Sequence, residues 1–136
     1  MSETAEGEVA ITTEGDIVVA RRTVRGLAQE IGFGLTDVTR IVTAASELAR
    51  NIFKYGGGGI MRWRHLQDAG RAGIELEFID QGPGIADIEL ALQQGYSTGK
   101  GLGLGLPAAR RLVDEMDIRS AVGAGTQITL KKWRTS

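Results

Sequence analysis

Two glycine-rich phrases narrow the possible folds of this chain: DQGPGI at 80–85 and GYSTGKGLGLGL at 95–106. Glycine loses more backbone freedom on folding than any other residue. Five glycines between 95 and 105 are therefore expected where the backbone must come close to something or turn in a way a side chain forbids. The 20 glycines also cluster at 56–59, 82–84 and 123–125, which points to particular loops rather than to general looseness.

Between these clusters the apolar residues keep regular periods. EVAITT, 8–13, alternates and reads as a strand. Over 16–31, Ile17, Val18, Ala20, Val24, Leu27, Ala28 and Ile31 recur at helical spacing, and Gly32 and Gly34 end the run. Thr36 reads as the N-cap of a second helix with Asp37 in its first turn. Its stripe is Val38, Ile41, Val42, Ala45, Leu48, Ala49, Ile52 and Phe53, and it ends at Tyr55 before GGGG. IMRWRHL, 60–66, and GIELEFI, 73–79, read as strands joined by DAGRAG. A short helix is expected over 86–94 and another over 104–116, with Pro107 in its first turn. DIRSAV, 117–122, and TQITLKKW, 126–133, follow as strands around GAG. This order predicts an α/β (α+β) two-layer sandwich, a mixed sheet with helices on one face, as a single domain over 1–136.

Charge and composition remove several functions. A net charge of −1 gives no general polyanion-binding surface, so no nucleic-acid partner is expected. The absence of cysteine excludes disulfides and thiolate metal sites. No apolar run approaches the roughly 20 residues of a membrane span, and MSETAEGEVA is acidic, unlike a signal peptide. A cytoplasmic protein with no membrane partner is expected.

The chemistry begins with Asp80. Ile74, Leu76 and Phe78 share one strand face, and Asp80 continues that row by its even spacing. A carboxylate ending a buried row is costly unless it is paired or binds something. The familiar phosphate loops do not fit. Gly99-Lys100 lacks the upstream glycine and the following Ser or Thr of a Walker A loop, and Gly101, Gly103 and Gly105 give G-x-G-x-G instead of G-x-G-x-x-G. The loop nevertheless leads into a helix start, where free N–H groups suit phosphate. On the second helix, Glu47, Asn51 and either Lys54 or Tyr55 fall on one face. They offer a base, a hard oxygen ligand of the kind Mg²⁺ uses sparingly, and a cation. The plain alternatives are a solvated helix face, a strand-to-helix turn and an ordinary connector.

The order of these motifs is more specific than any one of them. E-x-x-x-N on a helix, D-x-G-x-G after a strand, a G-x-G-L-G-L loop and G-T before the last strand together resemble the GHKL ATPase/kinase superfamily across about residues 8 to 133. ASELARNIFKYGGGG (45–59), EFIDQGPGIADIELALQQGYSTGKGLGLGLPAARRLVDEMDI (77–118) and GAGTQITLKKW (123–133) are most similar to the RsbT-type serine/threonine switch kinases of the bacterial stressosome.

The resemblance implies a Bergerat-type ATP-binding fold with ATP and Mg²⁺ as cofactors. Asp80 would accept the adenine amino group, Gly82 and Gly84 would let the backbone approach the base, and Ile85 would pack on the ring. Thr126 would stand beside the adenine. Asn51 would hold Mg²⁺, and Glu47 would act as general base or orient the acceptor hydroxyl. Lys54 and Tyr55 would meet phosphate. Gly99, Lys100, Gly101, Leu102, Gly103 and Leu104 would form the lid, with Lys100 either touching phosphate or solvated.

The implied substrates are STAS-domain scaffold and antagonist proteins, and the implied switch partner is a PP2C-type phosphatase, with the chain a monomer alone. An anti-sigma factor kinase and a nucleotide-gated binding module without turnover are the alternatives. The single histidine, His65, lies in an expected strand and reads as structural, as do Trp63 and Trp133 unless Trp133 anchors a partner. Arg110 and Arg111 are either a solvated face or a docking point.

Overall fold

A computed structural model describes residues 5–54, 56–82, 105–120 and 122–134. The elements run β1 (Glu6–Ile11), α1 (Glu14–Ile31), α2 (Leu35–Lys54), β2 (Gly59–Asp68), β3 (Arg71–Asp80), α3 (Leu106–Leu112), β4 (Glu115–Ser120) and β5 (Thr126–Trp133). The five strands form one sheet in the order β1-β2-β3-β5-β4. Its inner face carries Ile11, Met61, Ile74, Leu76, Phe78 and Leu130, all essentially sealed from water against the helices. Burying one such side chain stabilises the fold by about 1.5–3 kcal/mol.

The two-layer sandwich is the expected one, but all four strand pairings are antiparallel, so the sheet is not mixed. The cause lies in the hairpin of β4 and β5. The chain leaves β3 and returns as β4 in the same direction, yet β5 folds back between them and becomes the neighbour of both. No parallel pair is left in contact among the described strands.

Several boundaries differ from the sequence reading for identifiable reasons. β1 spans 6–11 rather than 8–13 because Thr12 and Thr13 belong to the start of α1: both N–H groups donate to the Asp16 carboxylate at 2.9 Å. α2 starts at Leu35, with the Val38 N–H donating to the Gly34 carbonyl at 2.9 Å, so Thr36 lies inside the helix and is not its cap. The expected DAGRAG link is mostly strand. Asp68 pairs with Arg71, leaving Ala69 and Gly70 as a two-residue turn, both with positive φ, which matches the twist of a hairpin. α3 ends at Leu112, not 116, because Met116 pairs with Leu130 and Ile118 with Ile128, drawing the chain into the sheet. Val18 and Phe53, counted in the helical stripes, are exposed at 43% and 36%.

The last strand fastens two helix ends. Lys132 is buried on the inner face; its Nζ donates to the Leu112 carbonyl at 3.2 Å and lies 3.5 Å from the Asp37 carboxylate. Arg134 donates to the Ile31 carbonyl at 3.0 Å. Cations are favoured at the carbonyl ends of helices. The outer face of the sheet is covered by its own charges: Arg62 with Glu8, Arg64 and Lys131 with Glu75, and Gln127 with Glu77. Trp133 belongs to this layer, with Arg71 4.2 Å above its ring and its indole N–H donating to Glu115 at 3.2 Å. His65 is half-buried beside Gln67. No described helix is long and apolar enough to cross a membrane.

Candidate functional site

Asp80 closes the inner row of β3, directly opposite Thr126 of β5 and Gly59 of β2. Its carboxylate accepts the Gly82 N–H at 2.8 Å and the backbone N–H of Thr126. A carboxylate has about four acceptor positions, so two N–H donors leave room for a ligand donor. Thr126 is buried, and its hydroxyl lies 3.0 Å from that of Ser120, which also meets the Gly125 carbonyl at 2.9 Å.

The walls of this corner are backbone. A methyl at Gly56 would lie 2.6 Å from the Asp80 carboxyl carbon, and one at Gly82 would lie 2.7 Å from Gly56 Cα. A methyl at Gly125 would overlap the Asp80 carbonyl oxygen. Gly56 and Gly82, one from each of two glycine clusters, thus meet at the Asp80 side chain, and Gly125 from a third meets the Asp80 backbone. A cavity of about 370 Å³ also borders Asp80 and Thr126, but its lining includes Ile79, Arg119 and Gln127, so it opens toward the outer face of the sheet.

Burial pushes the Asp80 carboxyl above its ordinary value of 3.8, and the N–H groups of Gly82 and Thr126 pull it partway back. The sign follows from the raised folded value. Ionised Asp80 destabilises the fold above that value, and the penalty disappears as pH falls toward 3.8. Asp80→Asn, which is neutral at every pH, is therefore expected to gain stability relative to the wild type as pH rises from about 3.5 to 7. Urea unfolding across that range measures it; a wild-type advantage that grows with pH would contradict the account.

The other side of the site lies on α2. Glu47, Asn51 and Lys54 share a face over about two turns. Glu47 is a third exposed and lies 3.5 Å from Arg50, one turn on. Its Oε2 occupies the space where Gly105, immediately before α3, would carry a side chain. Asn51 is half-buried, and Lys54 is exposed at the end of the helix. One helix therefore holds a carboxylate against the end of the second glycine loop, while the turn that follows it packs on Asp80.

Among the expected residues, the structure brings Asp80, Gly82 and Thr126 together and sets Glu47, Asn51 and Lys54 on the adjoining helix. Tyr55, Gly84, Ile85, Gly99, Lys100, Gly101, Leu102, Gly103 and Leu104, and the expected helix over 86–94, lie outside the described residues. The sequence reading missed Gly56 and Gly105 as contacts of the two carboxylates, Gly125 as a contact of the Asp80 backbone, and Arg50 as the neighbour of Glu47. Arg50 has a local signal, its i+3 spacing from Glu47; the glycine contacts need the fold. Among the described residues no group of three or more acidic or histidine side chains is placed to hold a metal.

The chain is similar to proteins already known. A family model for the histidine kinase-like ATPase domain matches residues 11–132. The serine/threonine-protein kinase RsbT of Bacillus subtilis (strain 168) is 49% identical over 125 residues, covering 92% of this chain and 94% of that protein. An anti-sigma F factor of Geobacillus sp. (strain WCH70) is 31% identical over 123 residues, 85% of this chain and 83% of its own length. The crystal structure of the RsbU and RsbW domains of Rv1364c from Mycobacterium tuberculosis superposes with a TM-score of 0.62 over 99% of this chain and 34% of that one. At 22% identity that likeness concerns the fold alone, and this chain spans about a third of that protein's chain.

Proposed function

Because the chain belongs to the histidine kinase-like (GHKL) ATPase family, we propose that it is a protein serine/threonine kinase that transfers the γ-phosphoryl group of Mg-ATP to a hydroxyl of a STAS-domain protein. The observation that carries this reading is the arrangement along α2. Its Glu47 carboxylate, about two turns before the C-terminal end, lies against Gly105, and Gly56, just beyond that end, lies against the half-buried Asp80. That spacing suits an extended nucleotide, with the base at Asp80 and the phosphates toward Glu47.

Asp80 would accept the adenine amino group with the lone pairs that Gly82 and Thr126 leave, and Gly82 with Gly56 would keep side chains away from the base. The donor set fits Mg²⁺ in a modest way: Asn51 supplies one hard amide oxygen, and the phosphates complete the shell. Mg²⁺ bound there would neutralise charge on the transferring group. Lys54 and Tyr55 would add cationic and hydroxyl contacts to phosphate. Gly84 and Ile85 would complete the base pocket, and the 99–104 segment, with Lys100, would cover the phosphates.

Glu47 would take the acceptor proton as the hydroxyl oxygen bonds to phosphorus and the bond to the β-phosphate oxygen breaks, releasing ADP. Such transfer depends chiefly on positioning and charge stabilisation. Asp80 recognises the base and Glu47 acts on the acceptor, so binding and chemistry rest on different residues.

The physiological reading is a partner switch in the cytoplasm, where ATP is available. STAS-domain scaffold and antagonist proteins would be the substrates, and a PP2C-type phosphatase would be bound and activated by the chain once it is released. The 49% identity to a serine/threonine-protein kinase supports this over an anti-sigma factor, whose relatives stand near 30%. Asn51→Ala is expected to cut transfer from labelled ATP to a purified STAS-domain protein by at least about tenfold, with partial recovery at high Mg²⁺. Unchanged transfer and unchanged Mg²⁺ dependence would remove Asn51 from the site.

A further inference from the structure

Near Asp80 stands a hydroxyl that the phosphoryl-transfer chemistry does not use, that of Ser120. Asp80 of β3 is opposite Thr126 of β5, and Thr126 is opposite Ser120 of β4. Side chains paired across neighbouring strands share a face, so the three form one row on the inner side of the sheet. The hydrogen bonds at the end of this row have a fixed direction. The Gly125 carbonyl only accepts, so its 2.9 Å bond with Ser120 uses the Ser120 proton. A serine hydroxyl has one proton. At the 3.0 Å contact between the two hydroxyls Thr126 therefore donates and Ser120 accepts. Thr126 then has only lone pairs to offer anything bound beside it, and the Asp80 carboxylate likewise only accepts.

We propose that Ser120 is a positioning residue for base selection: it locks the Thr126 hydroxyl as an acceptor, so that Thr126 and Asp80 together favour a purine with a 6-amino group over one with a 6-oxo group. This rests on the reading that a base sits at Asp80, and it assigns part of the choice to a residue of β4. A 6-amino group brings N–H donors to a corner lined by acceptors. A 6-oxo group sets lone pairs against lone pairs. A site built to bond a donor discriminates strongly against the analogue that lacks it, because its own polar groups are left unpaired. Thr126 is buried and Ser120 half-buried, so water competes little for these bonds. Without the Ser120 hydroxyl, that of Thr126 is released to turn and donate to a 6-oxo oxygen.

The test measures binding of ATP and of inosine triphosphate, which carries a 6-oxo group, to the full chain with Mg²⁺, by competition against labelled ATP. The wild type is expected to prefer ATP at least about hundredfold. Ser120→Ala should narrow that ratio at least about fivefold, chiefly through tighter binding of inosine triphosphate. Ser120→Thr keeps a hydroxyl and should hold the ratio within about twofold of wild type. Thr126→Val removes the group through which Ser120 acts. It should also narrow the ratio, and adding Ser120→Ala to it should change the ratio by less than about twofold more. Circular dichroism melting verifies that each variant is folded.

An unchanged ratio in Ser120→Ala overturns the role of Ser120 and leaves the nucleotide reading standing. Equal weakening of both nucleotides also overturns it, since Ser120 would then only support the fold. Equal binding of ATP and inosine triphosphate by the wild type overturns the acceptor-lined corner itself. No binding of ATP by the wild type overturns the nucleotide reading and the role of Ser120 with it.

Discussion

Glu47→Ala is expected to lower the rate of phosphoryl transfer at saturating ATP by about 10²–10⁴-fold, the usual worth of a positioned general base. The affinity for ATP should change by less than about threefold, since Glu47 is assigned to the acceptor and not to the nucleotide. Glu47→Gln is the sharper variant. It keeps the side chain that fills the space beside Gly105, and it keeps an oxygen able to accept a hydrogen bond, but it cannot take a proton at neutral pH. If Glu47 receives the acceptor proton, Gln fails almost as badly as Ala. If Glu47 only orients the hydroxyl, Gln restores much of the rate. A single-turnover measurement on both variants, with nucleotide affinity determined alongside, reads the difference. A Gln variant within about tenfold of wild type would end the base assignment.

Gly125→Ala is expected to destabilise the fold more than any other single methyl added near the site. Two costs coincide there. The residue holds φ at +81°, a conformation that L side chains rarely adopt, and the added methyl would overlap the Asp80 carbonyl oxygen with Gln81 Cα 3.0 Å away. Backbone strain and overpacking each cost about 1–3 kcal/mol, so a loss on the order of 2–6 kcal/mol follows. A loss of that size is a large fraction of the roughly 5–15 kcal/mol that holds a domain together. Gly123→Ala isolates the first cost. Its φ is +80°, but nothing lies within 4 Å of its methyl. Thermal denaturation should place Gly125→Ala well below Gly123→Ala, by about 5 °C or more. Equal melting temperatures would mean that the close approach to Asp80 is absent in solution. Weaker ATP binding in Gly125→Ala is a second expected consequence, because the residues it displaces are those that hold Asp80.

Much of this was written in local patterns. The even spacing of Ile74, Leu76, Phe78 and Asp80 put a carboxylate on the inner face of a strand, and the structure keeps it there. The helical spacing of Glu47, Asn51 and Lys54 placed them on one face of α2 in the same way. The same argument, carried further along β5, would have found Lys132: with Thr126, Ile128 and Leu130 it continues the inner row, and a lysine there needs the partners it has in Asp37 and Leu112.

Other features depend on contacts that no local pattern encodes. Met116 has helical neighbours in sequence, but Leu130 across the hairpin decides that it is in a strand. The mixed sheet failed for the same reason, because β5 comes between two strands that run in the same direction. The glycine clusters signalled close approach, yet what approaches Gly56, Gly105 and Gly125 is the protein itself. Asp80 and Glu47 come from chain segments far from these glycines, and only the folded sheet and helix layer bring them together.

The central claim is transfer of phosphate to a hydroxyl of another protein, and one measurement reaches it directly. The wild-type chain, γ-labelled ATP, Mg²⁺ and a purified STAS-domain protein are mixed for a single turnover, and the label is traced by gel and by mass spectrometry. The account predicts acid-stable phosphate on a serine or threonine of the acceptor, in amounts that match the ADP formed. ATP bound or hydrolysed with no label reaching the acceptor would contradict it, and would make the chain a nucleotide-gated binding module instead.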